Sequence, residues 1–247
     1  MRVIVVGLGE VGSAIHELVK QFHETETLDI KPKKIAGFFD VMHICFPCTN
    51  KFVENVLNYT RQFTPKLLLI ESTTRPGTTD IIKKELPATL VCHSPVRGRH
   101  EESLLKGIKM YTKYIGPCSS QAAGFAKRYY TEVGLNVYVA NSPLETEFAK
   151  LMNLAYFGTC IGMFQEFERV IQKCGLKRVD LMNFIGSTQT ESQGTAPRPL
   201  YYGGYIGGHC VTPALRMLQE FCEFQIFNEV LESNKHRLAE VGEKWQP

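Results

Sequence analysis

The sequence lacks several features that would assign it to a specialised class of protein. Its 247 residues carry a net charge of only +3, without the concentrated basic face of a nucleic-acid binder. No apolar run reaches the roughly 18 residues that a membrane span needs. The N-terminus begins with the strand-like "RVIVVGLG" instead of the ordered regions of a signal peptide. These absences argue against nucleic-acid and membrane partners, and we expect a cytoplasmic protein.

The sequence also has little that could hold a metal ion. Of its eight cysteines, only Cys45 and Cys48, in "CFPC", have the C-x-x-C spacing of a redox pair or of half a zinc site. No second C-x-x-C follows, and the pair ends an apolar run. A structural role for both cysteines is therefore favoured, and we predict no metal site.

A glycine-rich turn stands close to the N-terminus. "VIVVGLGEVGSAIHELV" combines a buried strand, G-x-G-x-x-G spacing at Gly7, Gly9 and Gly12, and a helical pattern. In such a turn the first glycine allows a tight bend, the second lets the backbone approach a pyrophosphate, and the third lets helix and strand pack closely. The helix N-terminus faces the phosphate charge. The stretch predicts a dinucleotide site that also includes Glu10 and Val11.

An acidic residue at the end of the second strand takes the ribose hydroxyls in such sites. Asp29, in "TETLDIKPKK", stands at that place and favours NAD. Three lysines follow that could instead hold a 2′-phosphate, so NADP stays possible: Lys31, Lys33 and Lys34. We also assign Pro47, at the end of the strand-like "VMHICFP", to the cofactor site.

Strands alternate with helices along the first part of the chain. This order predicts an α/β fold, a Rossmann-like doubly wound parallel sheet over residues 1–141. The run "IKMYTKYIG" is predicted as one of its strands, and the connection between Asp29 and Val41 is short.

The pattern becomes helical over residues 142–247, which we predict as a dimerisation and substrate domain. One helix of roughly 30 residues, about 45 Å long, is expected over 144–173. It is too long for a small domain to cover on its own, so we predict a homodimer built on it. "RVDLMNFIGST" predicts a further helix, and the last helices are expected to start near Pro213.

Two glycine pairs precede a cysteine in "GGYIGGHCVTP", residues 203–213. Glycine is used where the backbone takes unusual dihedrals or approaches another group closely. Taken alone, the stretch has two interpretations. It is either a tight turn before a helix with a small buried cysteine, or a flexible loop that presents the Cys210 thiol for chemistry.

Five motifs, taken in chain order, resemble those of the UDP-glucose/GDP-mannose dehydrogenase family. They are "VGLGEVG", "ESTTRPGTT", "HSPVR", "ETEFAKL" followed by Gln165-Glu166, and "GGHCVTP". The resemblance runs from Met1 to about Leu218. It implies a divergent member of the family that lacks the C-terminal domain binding the nucleotide sugar.

The resemblance further implies covalent oxidation chemistry. A thiolate at Cys210 would attack the aldehyde made by a first hydride transfer. The resulting thiohemiacetal would give a second hydride, and water would then release a carboxylate. By the same resemblance, Lys150 stabilises oxyanions or positions water, Thr73 belongs to the active site, and Arg198 contacts the substrate.

Several positions depart from the family pattern. Val96 replaces the glutamate of S-P-E, Leu154 replaces an asparagine that follows the lysine, and Ala214 replaces an aspartate that follows the cysteine. Asn153 stands next to Leu154 and could reach part of the same space. We therefore include Asn153 among the substrate-binding candidates.

Two histidines could transfer protons near neutral pH. His209 adjoins the thiol and is also a substrate-binding candidate, and His93 precedes Ser94-Pro95. Three hypotheses stay open. The chain is an NAD(P)-dependent oxidoreductase acting on a sugar derivative or other small alcohol, a non-catalytic dinucleotide-binding sensor or assembly partner, or a two-electron dehydrogenase that uses Lys150 alone.

Overall fold

The computed structural model describes residues 1–30, 35, 37–98, 104–221 and 223–242. The chain forms two units, residues 1–150 and residues 151–247. The boundary between them falls inside one long helix.

A seven-stranded sheet forms the centre of the first unit. Its strands are β1 (Arg2–Val6), β2 (Glu24–Leu28), β3 (Val41–Ile44), β4 (Leu67–Ile70), β5 (Leu90–His93), β6 (Lys113–Pro117) and β7 (Val137–Val139). The helices between them are α1 (Glu10–Val19), α2 (Phe52–Phe63), α3 (Thr78–Glu85), α4 (Leu104–Met110) and α5 (Ser120–Glu132).

The strands lie in the order β2-β1-β3-β4-β5-β6-β7. β1 to β5 pair in parallel, which confirms the predicted α/β fold. β6 pairs antiparallel with β5, with Cys92 opposite Pro117 and His93 opposite Gly116, and β7 runs parallel to β6. The predicted parallel sheet therefore extends over β1 to β5, whereas β6 and β7 run antiparallel to them. An antiparallel strand can return from the edge where its neighbour ended, without the full crossover that a parallel strand needs.

The run "IKMYTKYIG", predicted as one strand, divides between the end of α4 and most of β6. Leu104 and Ile108 lie one helical turn apart in α4, and both are buried. Their spacing fits one face of a helix, so the burial of this face decides against a strand.

Both faces of the sheet are covered by apolar side chains. Successive residues of β1 point to opposite faces, as strand geometry requires. Val3 and Val5 pack in the cluster that includes residues of α1, α4 and α5. Ile4 and Val6 pack in the cluster that includes residues of α2 and α3. A strand buried on both faces explains why "VIVV" is continuously apolar.

The second unit is helical in its described part. α6 (Pro143–Cys174) begins in the first unit, and its 32 residues confirm the predicted long helix. It is followed by α7 (Arg178–Glu191), α8 (Val211–Gln219) and α9 (Gln225–Val241). α7 extends past the predicted end at residue 188. α8 begins before Pro213 because proline is tolerated in the first turn of a helix. Within the described ranges, no helix combines the length and apolarity that a membrane crossing needs.

Candidate functional site

The glycine turn between β1 and α1 has the backbone geometry that the fingerprint predicts. Gly7 has a φ of +91°, which favours glycine. A Cβ on Gly12 would lie 1.7 Å from the carbonyl oxygen of Gly7, whereas a Cβ on Gly9 would meet no atom within 4 Å. The backbone at Gly9, directly before α1, is therefore open to a ligand at the positive end of the helix dipole. This cradle fits a dinucleotide pyrophosphate.

The other residues assigned to the cofactor lie at the same edge of the sheet. The amide of Gly7 donates to Leu28 O at 2.8 Å, so the turn is tied to the end of β2, where Asp29 follows and is exposed. Pro47 follows β3 and is exposed, while Glu10 and Val11 open α1 and are exposed and half-buried. The three lysines that could hold a 2′-phosphate lie outside the described residues.

The loop after β4 carries Thr73, which is half-buried. A carboxylate from α6 closes this loop: Glu147 accepts hydrogen bonds from Gly77 N at 2.6 Å, Thr79 N at 2.9 Å and Thr79 Oγ1 at 2.6 Å. Burial raises the pKa of Glu147, and these hydrogen bonds oppose the rise. Glu147 thus caps the N-terminus of α3. Our sequence reasoning did not assign this role, although the residue lies in the quoted "ETEFAKL".

A buried charged cluster lies next to the same loop. Glu71 accepts hydrogen bonds from His43 Nδ1 at 2.8 Å, Tyr130 Oη at 2.7 Å and Lys113 Nζ at 2.5 Å. Lys113 Nζ also donates to Ser94 O at 2.6 Å. Burial alone would raise the pKa of Glu71, but Lys113 and His43 outweigh it and lower the pKa to about 2. The cluster therefore joins the loop after β4 to the loop after β5.

Lys150 and Val96 are brought together by the structure. Lys150 Nζ donates to Val96 O at 2.9 Å and is half-buried. The side chain of Val96 is 5% exposed, so the position of the family glutamate is filled by an apolar group. Lys150 is the last residue of the first unit.

His93 does not fit the proton-transfer role considered for it. It is fully buried at the end of β5. Its Nδ1 contacts Thr146 Oγ1 at 2.8 Å, and its Nε2 contacts Ser72 O at 3.1 Å. Burial lowers its pKa to about 3, so the ring stays neutral and ties β5 to α6.

The two cysteines of "CFPC" point to opposite sides of the sheet. Cys45 packs in the cluster with α1 and α5, whereas Cys48 packs against the cluster with α2 and α3. Burial raises the pKa of both thiols. The arrangement favours the structural interpretation, because thiols on opposite faces of a sheet cannot form a disulfide without backbone movement.

In the second unit, Cys210 is the residue directly before α8 and is half-buried. The amide of Ala214 donates to Cys210 O at 3.2 Å. Cys210 thus stands at a helix N-terminus, where the dipole favours negative charge. His209 is exposed, and Gly208 has a φ of +79°. Cys210 is therefore not a fully buried side chain.

The remaining substrate-binding candidates are exposed in their own elements. Asn153 lies on an exposed face of α6. Arg198 lies in the loop after α7, and its guanidinium donates to Pro197 O at 3.0 Å. Their assignment stays a prediction.

Comparison with known proteins identifies relatives but no family model that matches the sequence. The UDP-N-acetyl-D-mannosamine dehydrogenase of Methanocaldococcus jannaschii is 29% identical over 167 residues, covering 66% of this chain and 37% of that protein. The enzyme of the same name from Methanococcus vannielii is 27% identical over 216 residues, covering 79% and 47%. The chain therefore spans less than half the length of these curated relatives.

Solved structures share the fold. The UDP-D-ManNAc dehydrogenase of Pyrococcus horikoshii has a TM-score of 0.78 at 18% identity, covering 97% of this chain and 69% of that one. The UDP-N-acetyl-mannosamine dehydrogenase Cap5O of Staphylococcus aureus has a TM-score of 0.80 at 18% identity, covering 98% and 69%. A 3-hydroxyisobutyrate dehydrogenase of Mycobacterium tuberculosis has a TM-score of 0.72 at 14% identity, covering 98% and 94%.

Proposed function

We propose that the chain is an NAD(P)-dependent oxidoreductase related to the UDP-glucose/GDP-mannose dehydrogenases, acting on an alcohol group of a sugar derivative. One observation carries the proposal. The backbone at Gly9 is open at the N-terminus of α1, while Gly7 is held at a positive φ and Gly12 lies too close to Gly7 O for any side chain. The names of the curated relatives make nucleotide sugars the first substrates to test.

Residues 1–141 are proposed to bind the dinucleotide. The turn from Gly7 to Gly12 would hold the pyrophosphate, and the carboxylate of Asp29 would accept hydrogen bonds from the ribose hydroxyls, which favours NAD. Pro47 would border the cofactor site. When bound, the dinucleotide supplies hydride transfer, and the chain's own residues bind and orient the reactants.

Residues 142–247 are proposed to supply the thiol and a dimer interface. Cys210 adds as a thiolate to the aldehyde carbon formed by the first hydride transfer. The thiohemiacetal carbon would then give its hydride to a second oxidised dinucleotide as the hydroxyl loses its proton to solvent, and water would cleave the resulting thioester to a carboxylate and the free thiol. Lys150 and Thr73 stabilise the oxyanions of these steps. Asn153, Arg198 and His209 contact the substrate.

A second candidate function is a dinucleotide-binding relative without turnover, acting as a sensor or assembly partner. Two observations favour it. Lys150 donates to the carbonyl oxygen of Val96, and position 214, where the family has an aspartate, is an alanine that is 1% exposed. A third candidate function, which fits the same replaced residues, is a two-electron dehydrogenase that uses Lys150 alone.

Titration of the purified protein with NADH and NADPH tests the cofactor proposal. We expect NADH to bind at millimolar concentration or below, detected by fluorescence. Gly12→Ala is expected to weaken binding at least about tenfold, since its Cβ would meet Gly7 O at 1.7 Å and displace the turn that approaches the pyrophosphate.

Gly124→Ala is the matched control, because this helical glycine has only Arg128 near its Cβ, at 3.6 Å. It is expected to bind as the wild type does and to be stabilised by about 1 kcal/mol. If neither dinucleotide binds the wild type, the oxidoreductase proposal fails. Binding of NADPH alone would refute the role given to Asp29.

The homodimer is proposed from the exposed face of α6. Four apolar side chains lie at helical spacing on it and are 48–62% exposed: Met152, Tyr156, Met163 and Val170. We expect light scattering to give a dimer at micromolar concentration. The double substitution M152E/M163E is expected to give a monomer, and Met110→Glu, at an exposed position of α4, is expected to stay dimeric. A monomeric wild type would refute the proposal.

A further inference from the structure

Side chains from α6 and α9 hold the backbone of the loop that leads to Cys210. Arg237 Nε donates to Gly203 O at 2.7 Å, and Gln165 Nε2 donates to Gly204 O at 2.7 Å. Ile206 N donates to Asn234 Oδ1 at 2.7 Å, and Asn234 Nδ2 donates to Ile206 O at 3.1 Å. These bonds satisfy polar backbone groups that are buried among helices.

Asn234 binds Ile206 as a neighbouring strand would, through one donor and one acceptor. It is 4% exposed, so these contacts are shielded from water. Gln165 Nε2 also donates to Asn234 Oδ1, at 2.9 Å, and Ser233 Oγ donates to Gln165 Oε1 at 2.9 Å. The amide orientations of both side chains are therefore determined by their partners.

The loop also lies directly on α6. A Cβ on Gly203 would meet Phe164 O at 2.3 Å, and a Cβ on Gly158 would meet Val211 Cγ1 at 2.7 Å. The first contact seats the start of the loop against the helix, and the second seats the residue that follows Cys210. These close approaches explain why glycine is present at 203 in the loop and at 158 in α6.

Cys210 consequently stands in a short span between two fixed points. Ile206 is held on one side by Asn234, and Val211 is held on the other by the groove at Gly158. The span between them contains Gly207, Gly208 and His209, which are exposed. Without one fixed point, glycine residues give the span large conformational freedom.

We propose that Asn234, oriented by Gln165, is the positioning residue for Cys210. Its amide holds the backbone at Ile206 and so determines where the thiol stands at the start of α8. The catalytic meaning of this position rests on the proposed function, but the mechanical role does not. It predicts that loss of the amide frees residues 206–210, while Gly203 and Gly204 stay held by Arg237 and Gln165 and the rest of the unit stays folded.

Two measurements on Asn234→Ala test the proposal, both without substrate or dinucleotide. Hydrogen exchange followed by mass spectrometry is expected to show about tenfold faster exchange confined to residues 206–210, since the hydrogen bonds of Asn234 to Ile206 are lost. Iodoacetamide labelling of Cys210 is expected to accelerate by about the same factor, measured against the exposed Cys174. Asn183→Ala, at an exposed position of α7, is the control and leaves both rates unchanged.

Positioning is separated from general destabilisation by other thiols: the half-buried Cys160 in the same unit, and the buried Cys45 and Cys92 in the first unit. If they label faster together with Cys210, Asn234→Ala has unfolded the protein, and Asn234→Asp decides instead. Its carboxylate keeps the size and the acceptor but repels Ile206 O, so the same selective increase at Cys210 is expected. Faster loop exchange with Cys210 labelling within about twofold of wild type, or unchanged exchange in both variants, overturns the proposal.

Discussion

Replacing Lys113 with methionine is expected to lower the free energy of unfolding by about 3–5 kcal/mol, because it leaves the carboxylate of Glu71 buried and without its cationic partner. Glu71 and Lys113 are 2% and 4% exposed, so water cannot solvate the carboxylate that loses its partner. The measurement is urea denaturation at neutral pH. The double variant K113M/E71Q removes both charges and is expected to recover more than half of the loss.

Lys109→Met is the control for this experiment, since Lys109 lies on an exposed surface of α4. It is expected to change the free energy of unfolding by less than about 0.5 kcal/mol. Equal stabilities of the Lys113 and Lys109 variants would show that the buried pair contributes nothing.

The same cluster makes the free energy of unfolding depend on pH in the acid range. Because the pKa of Glu71 falls from 4.5 to about 2 on folding, its contribution to stability is fully present above pH 4.5. The contribution is lost as the pH falls from 4.5 towards 2, and amounts to about 3 kcal/mol. Glu71→Gln removes the titrating group, so its stability is expected to change less over this window than that of the wild type.

The position of the cluster explains why a buried charge pair is useful here. Glu71 begins the loop that carries Thr73, and Lys113 also holds Ser94 O, in the loop that carries Val96. One ammonium group therefore fixes two loops at the carboxyl edge of the sheet, where parallel α/β folds place their ligands.

Local sequence patterns were sufficient for the features that depend on neighbouring residues. The roles of Gly7 and Gly12 follow from a turn of a few residues between a strand and a helix, and the length of α6 follows from its periodicity. The α/β fold follows from the alternation of elements. These features are determined by backbone conformation and by burial along one element.

Long-range pairings could not be predicted in the same way. Glu71 and Lys113 lie 42 residues apart, and Gln165 and Asn234 lie 69 residues apart, so no spacing rule joins them. One signal was available: a glutamate directly after the apolar "LLLI" must be paired if it is buried. The reversal of β6 was missed because strand direction is a property of the connection and not of the strand.

Cys210→Ser is expected to abolish complete oxidation of the substrate, with a loss of at least about 10³-fold in the rate of carboxylate formation. The hydroxyl of serine is a far weaker nucleophile than a thiolate, so the aldehyde formed by the first hydride transfer is not captured. Cys174→Ser is the control, because Cys174 is exposed at the end of α6, and it is expected to react as the wild type does.

The most direct test of the oxidoreductase account is the reduction of NAD⁺ or NADP⁺ by the wild-type protein, followed by the absorbance of the reduced dinucleotide. The substrates to offer are UDP-N-acetyl-D-mannosamine, UDP-glucose and GDP-mannose. The account predicts reduction with at least one of them, with two dinucleotides reduced for each carboxylate formed, and loss of that product in Cys210→Ser. No reduction with any pair, or a Cys210→Ser variant as active as the wild type, would contradict it.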